Sequence, residues 1–326
     1  MDVDADAKNT IRLVKSELEY VYDFEIRDAA PSVTRISHTL PQAGEVITIY
    51  GKGLVEVNRI TFPGNVVVTS NITSDEDGEF CTVVVPAGIT EGGALFVEGA
   101  NGGAYSPSYF NFRKGLLHNF DDVNNQSWSG GDVSDDLTSV IPASGNGPKS
   151  QGTYRSLNKD KKTFAAPAPK ASYYWANNSV FPSLLPESVL SSAASTSDVG
   201  VQMDIYVEGI WNSGTIRIVI TDGSGADRYC MLYTPWLENG QEIPFINPGS
   251  WFTITLPFSD SDDYAGKTFQ DVLNSVTSAS YAQWGPWFDN IDINDIACEP
   301  TDVTIYFDNL RVVPLDTPVY SEYGDE

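Results

Sequence analysis

Three aromatic residues stand side by side at Tyr173, Tyr174 and Trp175, in the stretch ASYYWANNSVFP. A flat ring buries apolar area against the C–H face of a pyranose without stranding the hydroxyls that edge it, and a few polar side chains nearby then set orientation. A linear glycan needs two or more such rings along an open groove, each contributing about 1–3 kcal/mol by analogy with base stacking. Consecutive side chains of a strand point to opposite faces, so the three residues cannot share one core layer. Tyr174 and Trp175 are assigned to an exposed platform, and Tyr173, which must oppose Tyr174, is placed inward.

Six of the seven tryptophans lie in loop-like stretches of residues 114–326, and none lies in residues 29–113. Trp128 sits in NNQSWSGG, Trp211 at an expected hairpin tip, Trp236 in TPWLENGQEIPFINPG, and Trp284 and Trp287 in YAQWGPWFDN; Trp175 completes the six. Trp251 opens the strand-like WFTITLPF and goes to the core or a strand edge. The platform is placed first on Trp128, Tyr174 and Trp175, then on Trp287, with Trp236 and Trp284 as further candidates. Asn177, Asn178 and Gln283 are the hydrogen-bonding partners. Tryptophan is highly buried on average, so structural packing is the competing reading for each ring.

Other chemistry has less to build on. The only histidines, His38 and His118, lie near no Ser or Cys nucleophile motif. Cys81, Cys230 and Cys298 have no metal-binding spacing and read as one disulfide or, better, as three small buried hydrophobes. SDEDGEF lacks the closing Glu of a calcium loop and reads as a solvated turn. Acidic residues outnumber basic ones 44 to 19, a net charge of −25 without a basic stripe, which argues against nucleic acid and against polyanionic sugars as partners. No apolar run is long enough to span a membrane, and MDVDADAKNT has neither the basic nor the apolar region of an export signal.

The elements that must position these residues are strands. Val201, Met203, Ile205 and Val207 alternate with polar neighbours, and Ile216, Ile218 and Ile220 follow after EGIWNSG, a pattern that predicts a hairpin. WFTITLPF and DVTIYFDNLRVVP add two strands, and GKTFQDVLNSV places Phe269, Val272, Leu273 and Val276 at the spacing of one short helix. The fold class is all-β: an immunoglobulin-like sandwich followed by a larger jelly-roll-like β-sandwich.

Residues 29–113 resemble the IPT/TIG family through Pro31, Gly44, ITIYG ending at Gly51, ITFPG ending at Gly64, TVVVPAG and the closing YSPSYFNF. YVYDFEIRDAAP repeats the pattern of that closing strand. Residues 1–28 are therefore read as the last strands of a preceding, truncated copy plus a linker, and 114–326 as the second sandwich.

That second segment opens with GLLHNFDD and closes with YFDNLRVVP. The bracket resembles carbohydrate-binding jelly rolls, whose first and last strands often hold a structural Ca²⁺; the resemblance implies Asp121, Asp122 and Asp308 as its ligands, while the same residues capping strand ends is the alternative. No other cofactor is required. The order of parts, TIG, hinge, NFDD, WFTITLPFSD, GKTFQDVL and FDNLRVVP, resembles the C-terminal half of surface glycan-binding proteins of Bacteroidetes polysaccharide-utilisation loci. It implies a non-catalytic antenna, lipid-anchored at the outer membrane outside the present sequence, acting as a monomer beside SusC/SusD-like proteins. The acidic charge and the flat platform point to a neutral β-linked plant polysaccharide: xyloglucan, mixed-linkage β-glucan or β-mannan. A β-sandwich glycoside hydrolase or lyase, with two carboxylates across a cleft, and a structural adhesin rod are the alternatives.

Overall fold

The computed structural model of the chain describes residues 9–24, 30–37, 40–107, 110–120, 126–131, 137–138, 153–158, 160–177, 190–221, 227–247, 251–277 and 283–317. The first two strands, β1 (Asn9–Lys15) and β2 (Leu18–Phe24), form an antiparallel ribbon. Its cross-strand pairs Ile11–Tyr22 and Leu13–Tyr20 stay at least half exposed. There follow β3 (Ser32–Ile36), β4 (Val46–Lys52), β5 (Arg59–Phe62), β6 (Val66–Val68), β7 (Ile72–Ser74), β8 (Phe80–Val84), β9 (Phe96–Gly99) and β10 (Gly102–Tyr105). They make two four-stranded sheets, ordered β3-β4-β8-β7 and β10-β9-β5-β6. Ile47 and Ile49 of β4, Cys81 and Val83 of β8, and Ile60, Phe62 and Val97 from the facing sheet fill the space between, as period-2 alternation requires. Cys81 is a free thiol whose burial pushes its pKa up to about 12. SDEDGEF forms the β7–β8 turn, closed by the Glu79 N–H donating to the Asp75 carboxylate.

The remaining strands are β11 (Leu116–His118), β12 (Gln126–Gly131), β13 (Leu137–Thr138), β14 (Thr153–Leu157), β15 (Ala168–Asn177), β16 (Val199–Glu208), β17 (Ile210–Trp211), β18 (Thr215–Thr221), β19 (Asp227–Tyr233), β20 (Leu237–Glu238), β21 (Gln241–Glu242), β22 (Phe245–Ile246), β23 (Phe252–Pro257), β24 (Gln283–Asn290) and β25 (Thr304–Pro314), with the helix α1 (Phe269–Thr277) between β23 and β24. One sheet runs β13-β14-β25-β16-β23, with β11 also on β25; the other runs β12-β15-β24-β18-β19. Gly115 turns the chain onto β25 at φ +65, where a Cβ would stand 1.9 Å from the Val312 carbonyl. The core between the sheets takes Val201, Met203, Ile205 and Phe307 from one side and Ile216, Ile218, Trp284 and Phe288 from the other. It shares no residue with the first core.

The helix forms where its spacing predicts. Asp271 accepts from both the backbone N–H and the hydroxyl of Thr268, one arm of a capping box, which also holds its carboxyl below the ordinary range, and Phe269, Val272 and Val276 enter the core.

Two expectations are corrected. β16 and β18 are not a hairpin, because they belong to different sheets and the chain crosses the core edge through β17. Trp211 is correspondingly not a tip residue: it is fully buried, and its indole N–H and that of Trp236 both donate to the Gly214 carbonyl. Cys298 is a free thiol that is only half-buried, and the Cys230 side chain lies outside the described residues.

Candidate functional site

Alternation along β15, β24 and β18 sends Tyr174, Ala176, Trp284, Phe288, Ile216, Ile218 and Ile220 into the core. The opposite parity sends Tyr173, Trp175, Trp287 and Val219 to the outer face of the same sheet, where they form a cluster of their own. The registers place Tyr173 opposite Trp287 and Trp287 opposite Arg217, so one line of residues crosses three strands. A second line runs from Trp128 to Trp175, then past Gly285 to Val219.

Gly285 is a gap in that second line. A Cβ there would stand 2.2 Å from the Tyr174 carbonyl, so only glycine lets β15 and β24 close at this point. Trp175 and Trp287 use the closeness to meet edge to face, with centroids 4.6 Å apart at 81°, and Tyr173 lies 5.6 Å from Trp287 at 52°. Tyr173 is half-buried, whereas Trp175 keeps 6% and Trp287 1% of its surface. The Trp287 indole N–H is buried without a hydrogen-bond acceptor. An unmet buried donor costs stability, and the buried Trp251 indole N–H shares that state.

A charged group borders the rings. The Lys170 ammonium lies 4.4 Å over the Trp287 ring centre, and the Arg217 guanidinium is 2.6 Å from the Asp289 carboxylate. Asp289 is fully buried and also accepts the Lys170 backbone N–H. Sequence reasoning passes over Lys170, Arg217, Asp289 and Gly285; the one visible signal is that Arg217 falls at outward parity inside an isoleucine run.

The assigned platform residues part company. Tyr174 is corrected to the core: it is fully buried, with its hydroxyl 3.2 Å from His118 Nδ1 and its ring edge-on to Phe120 and Phe307. Tyr173, placed inward from the sequence, takes the outward position instead, since the parity of β15 runs opposite to the one assigned. Trp236 and Trp284 are core residues, 2% and 0% exposed, and offer no ring face. Trp175 and Trp287 do share one face, Trp287 as a ring set against Trp175 rather than an open surface. The backbone of Trp128 pairs with that of Trp175, while the side chains of Trp128, Asn177 and Gln283, and Asn178 altogether, lie outside the described residues.

Trp251 is buried with Tyr154, Tyr206 and Tyr306 on the outer face of the other sheet. Asp121 and Asp122 lie outside the described residues. Asp308 is buried opposite Asp204 and accepts the Asn309 N–H; Asp204 takes hydrogen bonds from Thr253 and Asn309, and Arg311 stands 3.8 Å from it. Among the described residues no group of three or more His, Cys, Asp or Glu side chains is placed to hold a metal ion, and no helix is long and apolar enough to cross a membrane.

Residues 110–314 match the family described as surface glycan-binding protein B xyloglucan binding domain. An IPT/TIG domain-containing protein of Bacteroides ovatus is 23% identical over 90% of this chain and 54% of its own length, so the chain spans about half of that curated relative. Two solved structures share the fold. One is SGBP-B from a complex xyloglucan utilization locus in Bacteroides uniformis, at 18% identity over 94% of this chain and 80% of that one, with a TM-score of 0.59. The other was determined with a xylogluco-oligosaccharide, at 20% identity over 94% of this chain and 63% of that one, with a TM-score of 0.62.

Proposed function

Because the chain belongs to the surface glycan-binding protein B xyloglucan-binding-domain family, we propose that it captures a neutral β-linked plant polysaccharide, xyloglucan, mixed-linkage β-glucan or β-mannan, on the outer face of the β12-β15-β24-β18-β19 sheet, without catalysis. The observation that carries this reading is the Tyr173–Trp175–Trp287 cluster, an aromatic group turned away from the core in which Tyr173 is the half-exposed ring and Trp175 and Trp287 back it. A sugar offers a C–H face to that exposed ring. The net charge of −25 favours a neutral ligand over a uronic acid polymer.

The family is one of surface proteins. Lipid anchoring, delivery to a SusC/SusD-like uptake system, action as a monomer and a structural Ca²⁺ at Asp121, Asp122 and Asp308 belong to the same proposal. Calorimetry of the chain and its Trp175→Ala variant against soluble xyloglucan, mixed-linkage glucan, mannan and one acidic pectin, with and without chelator, tests it. The parent binds at least one neutral glycan, releases no reducing sugar, and loses at least about tenfold in affinity on Trp175→Ala, the equivalent of about 1.4 kcal/mol. Tighter binding of pectin than of every neutral glycan overturns the substrate class, and parent-like affinity of the variant overturns the face.

A further inference from the structure

A row of aromatic rings holds a pyranose chain without distinguishing its direction or its hydroxyl pattern, because stacking tolerates whatever flat face is offered. Discrimination needs donors fixed at one place along the row. The line Tyr173–Trp287–Arg217 has such a place at one end only. Its members sit on adjacent strands about 4.8 Å apart, a spacing close to the length of one β-linked hexose, so a chain crossing the strands meets one position per sugar.

At the β18 end the contacts change character. The Lys170 ammonium lies over the face of Trp287, and beyond that ring stands Arg217 with 23% of its side chain exposed. A single buried anion holds the Arg217 side chain and the Lys170 backbone. Asp289 takes the Arg217 Nη1 donor on one oxygen and the Lys170 backbone N–H on the other, and Lys170 adopts the left-handed conformation, φ +54, at that point. The Arg217 side chain is thereby preorganised beside the rings, the Lys170 ammonium rests over Trp287, and a guanidinium presents its donors in a rigid fork.

Resting on the reading that this face binds glycan, we propose that Arg217 and Lys170 are its specificity-determining donors. The glycan crosses the strands, stacks on Tyr173 with Trp175 supporting that ring's surroundings, and places the hydroxyls of one sugar against the guanidinium and ammonium. Those hydrogen bonds fix chain direction and select among neutral backbones, and Asp289 is the positioning residue. Asp289 neutralises one of the two cations, and the net charge of −25 over the chain disfavours a polyanion as ligand.

The test compares the parent with Trp175→Ala, Arg217→Ala, Lys170→Ala and Arg217→Lys in the full chain, each shown by thermal melting to be folded. Oligosaccharides of xyloglucan, mixed-linkage glucan and mannan of equal backbone length are the ligands, read by calorimetry. Trp175→Ala weakens all three in similar proportion. Arg217→Ala weakens the preferred glycan by about tenfold and the others by less than about threefold, so the order of preference flattens; Lys170→Ala moves the same way and Arg217→Lys restores part of the difference. If Trp175→Ala loses binding while both Ala variants at the cations keep the parent's ratios, the donor assignment falls and the glycan face stands. If Arg217→Ala loses binding only to an added uronic acid oligosaccharide, the donors read a carboxylate and the assignment to neutral hydroxyls is overturned. Parent-like affinity in Trp175→Ala removes the face and this inference together.

Discussion

Tyr173 and Tyr174 are chain neighbours with opposite tasks, and a single buried contact separates them. Tyr174 carries its hydroxyl into the core because His118 meets it there, and a buried hydroxyl without a partner would cost about 1–3 kcal/mol. His118 is itself fully buried; burial first, and the Arg155 charge second, lower its pKa from 6.5 to about 3. It therefore stays neutral in the fold while the unfolded chain takes up a proton below pH 6.5. Stability from this group is complete above the unfolded pKa and is lost as pH falls toward about 3, at no more than about 1.4 kcal/mol per pH unit. Denaturant unfolding of the parent between pH 7 and 4 is expected to show a steeper loss than His118→Gln over the same range; parallel slopes would refute the assignment. Aromatic chemistry at YYW is legible in the sequence, but its parity is not. Three consecutive aromatics give no polar marker for the outward side, and the inward partner, His118, comes from a strand 56 residues away.

At the scale of elements, the platform depends on how closely β15 and β24 approach. Gly285→Ala places a methyl group against the Tyr174 carbonyl, so the strands must part and the edge-to-face pair of Trp175 and Trp287 must open. The variant is expected to lose roughly 1–3 kcal/mol of stability together with its glycan affinity, although residue 285 presents nothing to a ligand. Full affinity in a folded Gly285→Ala protein would show that the Trp175–Trp287 geometry is immaterial. Individual strands and the helix are legible because alternation and helical spacing are local patterns. Sheet membership is not: whether β16 turns back on itself or crosses to β18 depends on Trp211 and Trp236 both reaching the Gly214 carbonyl, and Trp236 arrives from a later loop. The same non-local packing takes Trp236 and Trp284, loop-like in sequence, into the core.

Across the whole molecule, two cores with no residue in common predict two unfolding events. A glycan bound on the β15 face stabilises only the core behind it, so at about a hundredfold excess over Kd one transition rises by about 5–10 °C and the other stays put. Calorimetric scans with and without xyloglucan check this, and equal shifts of both transitions would contradict the independence of the cores. The chain enters the second core through Gly115 and β11, and β11 ends at His118, the residue that meets Tyr174 beneath the platform. A polymer caught at Tyr173 and Trp175 and dragged by flow thus pulls on a strand bound through its neighbour Tyr174 to the very segment leading back toward the first core. On the proposed reading, that load spreads from β15 into β12 and β24 through their backbone ladders and reaches β11 through the Tyr174–His118 contact, so a side-chain bridge beneath the rings joins the strand that is pulled to the segment leading back toward the first core.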